Sequence, residues 1–162
     1  VTYSLQQLSI DDLQHIAAGQ PPAHLAHHLE PGALPPGFVA TRALALLNDG
    51  HAEAWSCTYL IARDADERIV GGCGFKGPPK NGVVEIGYAI APSAQGQGAA
   101  TSAVHILLAR AFSCGAQEVI AEVNPTNYAS LRVVEKAGFS LTGARIDESN
   151  EYVIRWVKRS AA

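Results

Sequence analysis

No stretch of the 162-residue chain approaches the roughly 18 uninterrupted apolar residues that a membrane-spanning helix requires. The opening "VTYSLQQLSIDD" also lacks the basic and apolar blocks of a secretory signal, so a cytoplasmic location and no membrane partner are expected. Basic runs are missing too. Fifteen acidic and twelve basic residues are scattered to a net charge of −3, leaving no cationic stripe to neutralise a phosphate backbone and no expected nucleic-acid partner. The three cysteines, Cys57, Cys73 and Cys114, are an odd number without C-x-x-C spacing, which reads as reduced packing residues and not as a disulfide framework. Internal repeats and low-complexity tracts are absent as well. What remains is 48% hydrophobic and 17% charged, the composition of one compact domain over residues 1–162.

Periodicity then predicts the order of elements. "VTYSLQQL" alternates as a strand, and Ser9 with Asp12 has capping-box spacing for a helix that stops near Gly19. Residues 20–50 predict two helical pieces, near 22–29 and 38–48, on either side of a Pro/Gly joint. "SCTYLIAR" and "RIVGGCGF" read as a hairpin across "DADE", followed by the strand "VVEIGYAI". Ala100, Val104, Leu107, Leu108 and Ala111 then share one helical face. "EVIAEV" is a strand, "NYASLRVVEKAG" a helix stopped by Gly138, and "FSLTGAR" and "EYVIRWVKR" are closing strands. The result is an α+β protein with a central mixed sheet.

The segment "APSAQGQGAATSAV" (91–104) carries little side chain at the start of a helix. The first N–H groups of a helix have no intrahelical acceptors and carry the positive end of its dipole, so an exposed, glycine-lined start suits an anion; a ligand-free tight turn fits the glycines equally well. A P-loop is disfavoured because "QGQGAAT" has no lysine, and G-x-G-x-x-G fits only to Gly98, with Thr101 in the third glycine's place. In the strand before it, Val84, Ile86, Tyr88 and Ile90 alternate with Glu85, Gly87 and Ala89, giving one bulky face and one nearly bare.

These residues resemble the GNAT superfamily of acetyl-CoA-dependent N-acetyltransferases. Its pyrophosphate loop, Gln/Arg-x-x-Gly-x-Gly/Ala, is matched by Gln95, Gly98 and Ala100, and its second signature by Asn127-x-x-Ser130 followed by "VVEKAGF". Both look most like the branch named for ribosomal-protein N-terminal acetyltransferases. The resemblance implies a mostly antiparallel sheet splayed between strands 83–90 and 118–123, an acetyl-CoA core over 69–157 and a helical acceptor flap over 20–55. It further implies that the loop of Gln95, Gly96, Gln97, Gly98, Ala99 and Ala100 receives the pyrophosphate, with Thr101 also at the cofactor, while Ile90 holds the pantetheine arm and Asn127 hydrogen-bonds the pantetheine or phosphate part. Ser130 lies near the sulfur, and it or an ordered water serves as acid, since the usual tyrosine four residues on is Val134 here. Glu85, on the bare face, reads either as the base, directly or through a water, or as a carboxylate on the solvent side of the sheet paired with a surface cation. The acceptor is a primary amine attacked directly in a ternary complex, and no metal is expected.

Six histidines raise a metal reading, with His24 and His28 at helical i, i+4 spacing, but no acidic or cysteine cluster completes it. His105 is expected half-buried at the edge of its helix. Glu30, Asp49, Glu53 and Trp55 of the flap read either as attractors of a cationic amine or as a solvated edge with one core tryptophan. A non-catalytic acetyl-CoA sensor on the same fold and a dinucleotide-binding unit are the rival readings. A homodimer through sheet edges is open.

Overall fold

A computed structural model describes residues 1–161. Seven strands, β1 (Tyr3–Gln7), β2 (Thr58–Arg63), β3 (Arg68–Phe75), β4 (Val83–Ile90), β5 (Glu118–Val123), β6 (Ser140–Ile146) and β7 (Tyr152–Arg159), form a sheet in the order β1-β2-β3-β4-β5-β7-β6. The helices are α1 (Ile10–Ala17), α2 (Gly37–Asn48), α3 (Glu53–Ser56), α4 (Ala99–Ser113) and α5 (Tyr128–Lys136). All strand pairs are antiparallel except β4 with β5, which α4 connects as the crossover that a parallel pair needs. This is the α+β, mostly antiparallel arrangement expected from the sequence.

The parallel pair is short, and its shortness makes the site. β4 and β5 are joined only at Val83↔Glu118, Val84↔Val119 and Glu85↔Ile120. Beyond that, β4 stays with β3 as far as Gly71↔Ile90, and β5 stays with β7 as far as Val123↔Ile154. Each strand therefore keeps one satisfied edge while the sheet opens between them.

Helix α4 lays Ala103, Val104, Leu107 and Ala111, all fully buried, against Val84, Ile86, Val119, Ala121 and Val123 on one sheet face. Ala100, expected in that stripe, is only partly buried and lines a cavity instead. On the opposite face Leu13 and Ile16 of α1 and Ala40 and Ala43 of α2 pack over Leu60, Ala62 and Ile69. Ser9 caps α1, its Oγ accepting from the Asp12 N–H at 3.1 Å.

Two local expectations need correcting. Residues 22–29 form no helix but a single 3-10 turn, Ala23–Leu25. The chain then runs along β3: the Ile69 N–H donates to the His28 carbonyl at 2.7 Å and the Glu30 N–H to the Ile69 carbonyl at 2.9 Å. Tertiary pairing thus takes the backbone groups a longer helix would use. The one-turn helix α3 is too short to show a period and went unanticipated.

Gly71 has a packing reason. A Cβ there would run into the carbonyl oxygen of Ala89 on the neighbouring strand. Gly71→Ala should cost about 1–3 kcal/mol through this backbone clash. A lowered urea midpoint with unchanged m would register that loss.

Candidate active site

The loop after β4 folds as a 3-10 turn, Pro92–Ala94, and then uses two left-handed glycines, Gly96 at φ 77° and Gly98 at φ 91°. Gly98 is the N-cap of α4 and supplies no side-chain acceptor, so the N–H groups of the first turn of α4 are left for a ligand. Nothing lies within 4 Å of where a Cβ of Gly96 or Gly98 would point. The Gln95 amide donates to the Ile90 carbonyl at 3.2 Å and the Tyr3 hydroxyl to the Gln97 carbonyl at 3.2 Å, bracing the loop from both sides.

Opposite the loop, Asn127 is the N-cap of α5, its Oδ1 accepting from the Ser130 N–H at 3.1 Å. The cap and first-turn serine anticipated as ligands are therefore locked to each other, with the Asn127 amide nitrogen and the Ser130 hydroxyl still free among the described residues. Val134 is fully buried in the core and lines no part of the site, so the absent tyrosine leaves no gap there. Tyr128 is 71% exposed and outside the site.

Between these elements lies a cavity of about 660 Å³, within the range of pockets that enclose a sizeable ligand. It collects Ile90, Gln95, Gly96, Gly98, Ala99, Ala100, Thr101, Asn127 and Ser130. Gln97, expected among them, does not line it; its side chain is exposed while its carbonyl is bound to Tyr3. Arg132 and Lys136 also line it and went unremarked in the sequence, although their i, i+4 spacing puts both cations on one face of α5.

A smaller cavity of about 180 Å³ opens from the same splay and shares Tyr88, Asn127 and Ser130 with the larger one. Tyr88, assigned from the sequence only to a bulky strand face, thus stands at the junction. Its hydroxyl donates to the Ser130 carbonyl at 3.3 Å, and burial pushes the phenol's pKa up. The smaller cavity also meets Lys76, Glu122 and Asn124. Glu122 accepts from Arg145 Nε and Nη2, both at 2.7 Å, and from Arg155 Nε and Nη2 at 3.3 and 3.2 Å. The Arg145 hydrogen bonds, more than the opposing effect of burial, hold its carboxyl below the usual range. Glu85 sits at the last β4–β5 pair, at the foot of the opening. Its carboxylate accepts from Lys76 Nζ at 2.7 Å and lines neither cavity.

The flap residues divide. Glu30 accepts from Arg68 Nε at 2.9 Å and from the Ser93 hydroxyl at 3.0 Å, interactions that lower its pKa and tie it to the fold instead of to an amine. Trp55 packs edge-on to Phe75 with ring centroids 5.0 Å apart, the core role. Asp49 and Glu53 are exposed. The histidine spacing dissolves with the missing helix: His24 Nε2 lies 2.8 Å from Asp12 Oδ1, and His105 is exposed, not half-buried. Among the described residues no three His, Cys, Asp or Glu side chains gather as a metal-binding group. Nor is any helix long and apolar enough to cross a membrane. Cys57 and Cys73 are buried, with the Cys73 thiol pushed up to about 12 by burial, whereas Cys114 is exposed.

Comparison with known proteins agrees with this geometry. An uncharacterized N-acetyltransferase, p20, from Bacillus licheniformis is 31% identical over 103 residues, 62% of this chain and 57% of that protein. The match therefore spans little more than half the length of that relative. The ribosomal-protein-S5-alanine acetyltransferase of Vibrio fischeri superposes with a TM-score of 0.71 at 19% identity, covering 99% of this chain and 94% of that one. RimJ of Mycobacterium smegmatis, solved in complex with CoA-disulfide, gives 0.69 at 19% identity, over 98% and 82%. The model of the acetyltransferase (GNAT) domain matches residues 4–140, most of the chain, and the protein belongs to the GNAT acetyltransferase family.

Proposed function

We propose that the protein transfers the acetyl group of acetyl-CoA to a primary amine by direct attack within a ternary complex. The observation that carries this reading is the meeting of two cavities at Tyr88, Asn127 and Ser130, the larger of them beside the glycine-lined start of α4. The residues fit the coenzyme: the glycine loop offers backbone N–H groups, space in place of Cβ atoms, and the facing cations Arg132 and Lys136 for phosphates. When bound, the coenzyme supplies an activated acetyl thioester. Gln95, Gly96, Gly98, Ala99, Ala100 and Thr101 would hold its pyrophosphate, and Gln97 would contribute through its backbone alone. Ile90 and Asn127 would hold the arm, orienting the reactive end toward the junction.

At the junction the chain must take a proton from the amine and return one to the sulfur. Ser130 and Tyr88 are the proton donors to hand. Burial raises the Tyr88 phenol's pKa, so it gives up its proton less readily than a free tyrosine does. Glu85, ion-paired to Lys76 and set back from both cavities, serves as base through an intervening water instead of by contact. The Glu85→Gln variant should lose about tenfold in kcat with CoA affinity kept. An unchanged kcat would remove Glu85 from the mechanism.

The function itself is tested by thiol release from acetyl-CoA against a panel of primary amines. Turnover on at least one is expected. CoA binding without turnover on any would instead favour an acetyl-CoA sensor on the same fold, and stabilisation by NAD in place of CoA would favour a dinucleotide site.

A further inference from the structure

A tyrosine 94 residues away in sequence reaches the glycine loop from beneath. Around the start of β1, Thr2 and Ser4 share one side of the extended chain, and both hydroxyls donate to the Asp64 carboxylate, at 2.7 and 2.8 Å. Alternation turns Tyr3 between them to the other side, into the core cluster that also holds Ala94 and Ala99, one at each end of the loop. Only 8% of Tyr3 is exposed. Its hydroxyl donates to the Gln97 carbonyl at 3.2 Å.

That carbonyl belongs to the same peptide unit as the Gly98 N–H. In a planar trans peptide the two point in opposite directions, and the chain has no cis bond, so a partner that holds the carbonyl also aims the N–H. Tyr3 and Gln97 lie outside the larger cavity, whereas Gly98 lines it. The carbonyl is drawn toward the core and the N–H is turned to the coenzyme side. Among the described residues this N–H has no backbone acceptor.

Nothing local enforces that orientation. Gly98 holds φ at 91°, but glycine takes either sign of φ about as readily, so the Gln97–Gly98 peptide can turn over at little cost. A turned-over peptide would present a carbonyl oxygen to phosphates in place of an N–H, exchanging attraction for repulsion. The hydroxyl also polarises the peptide, which makes the N–H at its far end a stronger donor. We propose that Tyr3 is a positioning residue for the coenzyme: its hydroxyl selects the orientation of the Gln97–Gly98 peptide in which the N–H faces the pyrophosphate. This rests on the acetyl-CoA reading above. A second outside anchor, the Ser93 hydroxyl donating to Glu30 Oε2 at 3.0 Å, holds the turn before the loop and lines neither cavity. It fixes the loop without aiming an N–H at the coenzyme.

The test is calorimetric titration of CoA, and of dephospho-CoA, which lacks the ribose phosphate, into wild type, Tyr3→Phe and Ser93→Ala. Tyr3→Phe keeps the ring in the core and removes only the hydroxyl. It should weaken both coenzymes by the same factor, about five- to tenfold, because both carry the pyrophosphate. With acetyl-CoA as substrate its KM should rise by that factor while kcat and the amine KM stay within twofold, the pattern of lost uniform binding. Ser93→Ala should lower the melting temperature and leave CoA affinity within twofold. Unchanged CoA affinity in Tyr3→Phe overturns the inference, even if that variant melts earlier. A loss confined to CoA, or an equal loss in Ser93→Ala, overturns it too, since the first points to the ribose phosphate and the second to general loosening of the loop. If the affinities change as expected and no amine is acetylated, the inference stands and the catalytic reading alone fails. Wild type that binds neither coenzyme overturns both.

Discussion

Gly98→Asp is expected to weaken coenzyme A binding at least 100-fold while leaving the rest of the fold in place. Gly98 holds φ at 91°, a region that costs a residue with a Cβ about 1–3 kcal/mol. Open space surrounds its Cβ position, so the penalty is backbone strain and charge, not a clash. The new carboxylate would sit at the N-cap of α4 and compete for the N–H groups proposed to receive the pyrophosphate. The left-handed backbone at Gly98, unlike the extended backbone of the usual aspartate N-cap, costs that strain while the anion site is filled from within. Gly98→Ala separates the two effects, keeping the strain but not the charge, and should lose no more than about tenfold. Titration of CoA followed by calorimetry reads both, and equal affinities for wild type and Gly98→Asp would remove the loop from coenzyme binding.

Tyr88→Phe is expected to lower kcat by about 100-fold with CoA affinity within twofold of wild type, the scale of a lost general acid. The phenol contributes one hydrogen bond to the Ser130 carbonyl at 3.3 Å, a long contact whose loss should cost little stability. A structural role alone would move the melting temperature and leave kcat, so the two parameters distinguish the cases. Ser130→Ala is the companion: if Tyr88 is the main donor, the serine change costs less than the tyrosine change. If both hydroxyls feed one proton path, the double variant falls short of the product of the singles. Full activity in Tyr88→Phe would return the acid role to Ser130.

The difference between these two residues shows where the sequence is informative. The glycine loop and the Asn127 cap are local devices: a left-handed backbone, a helix start and a side chain reaching three residues ahead are all encoded within a few positions, so their spacing could be read directly. Gln97 is the exception within the loop, because its backbone is captured by Tyr3, 94 residues away. Tyr88 lies at the meeting of β4 and α5, and alternation along one strand cannot tell a residue aimed at the core from one at the mouth of a gap. Glu85 shows the same limit in the other direction. Its strand face and a pairing with some surface cation were legible, but not that the cation is Lys76. The 22–29 segment failed for a related reason, since β3 satisfies backbone groups that the local pattern assigned to a helix.

The sequence by itself thus determined the elements governed by short-range chemistry, the left-handed glycine turn that opens α4 and the Asn127 cap that opens α5. Tertiary structure alone decided where β4 and β5 part, which side chains meet in the gap and how the charges across it balance. The physical reason is range. Backbone conformation and capping depend on neighbours within a turn or two, whereas the pairing of Glu122 with Arg145 and Arg155, 23 and 33 residues distant, exists only once the sheet has set its register.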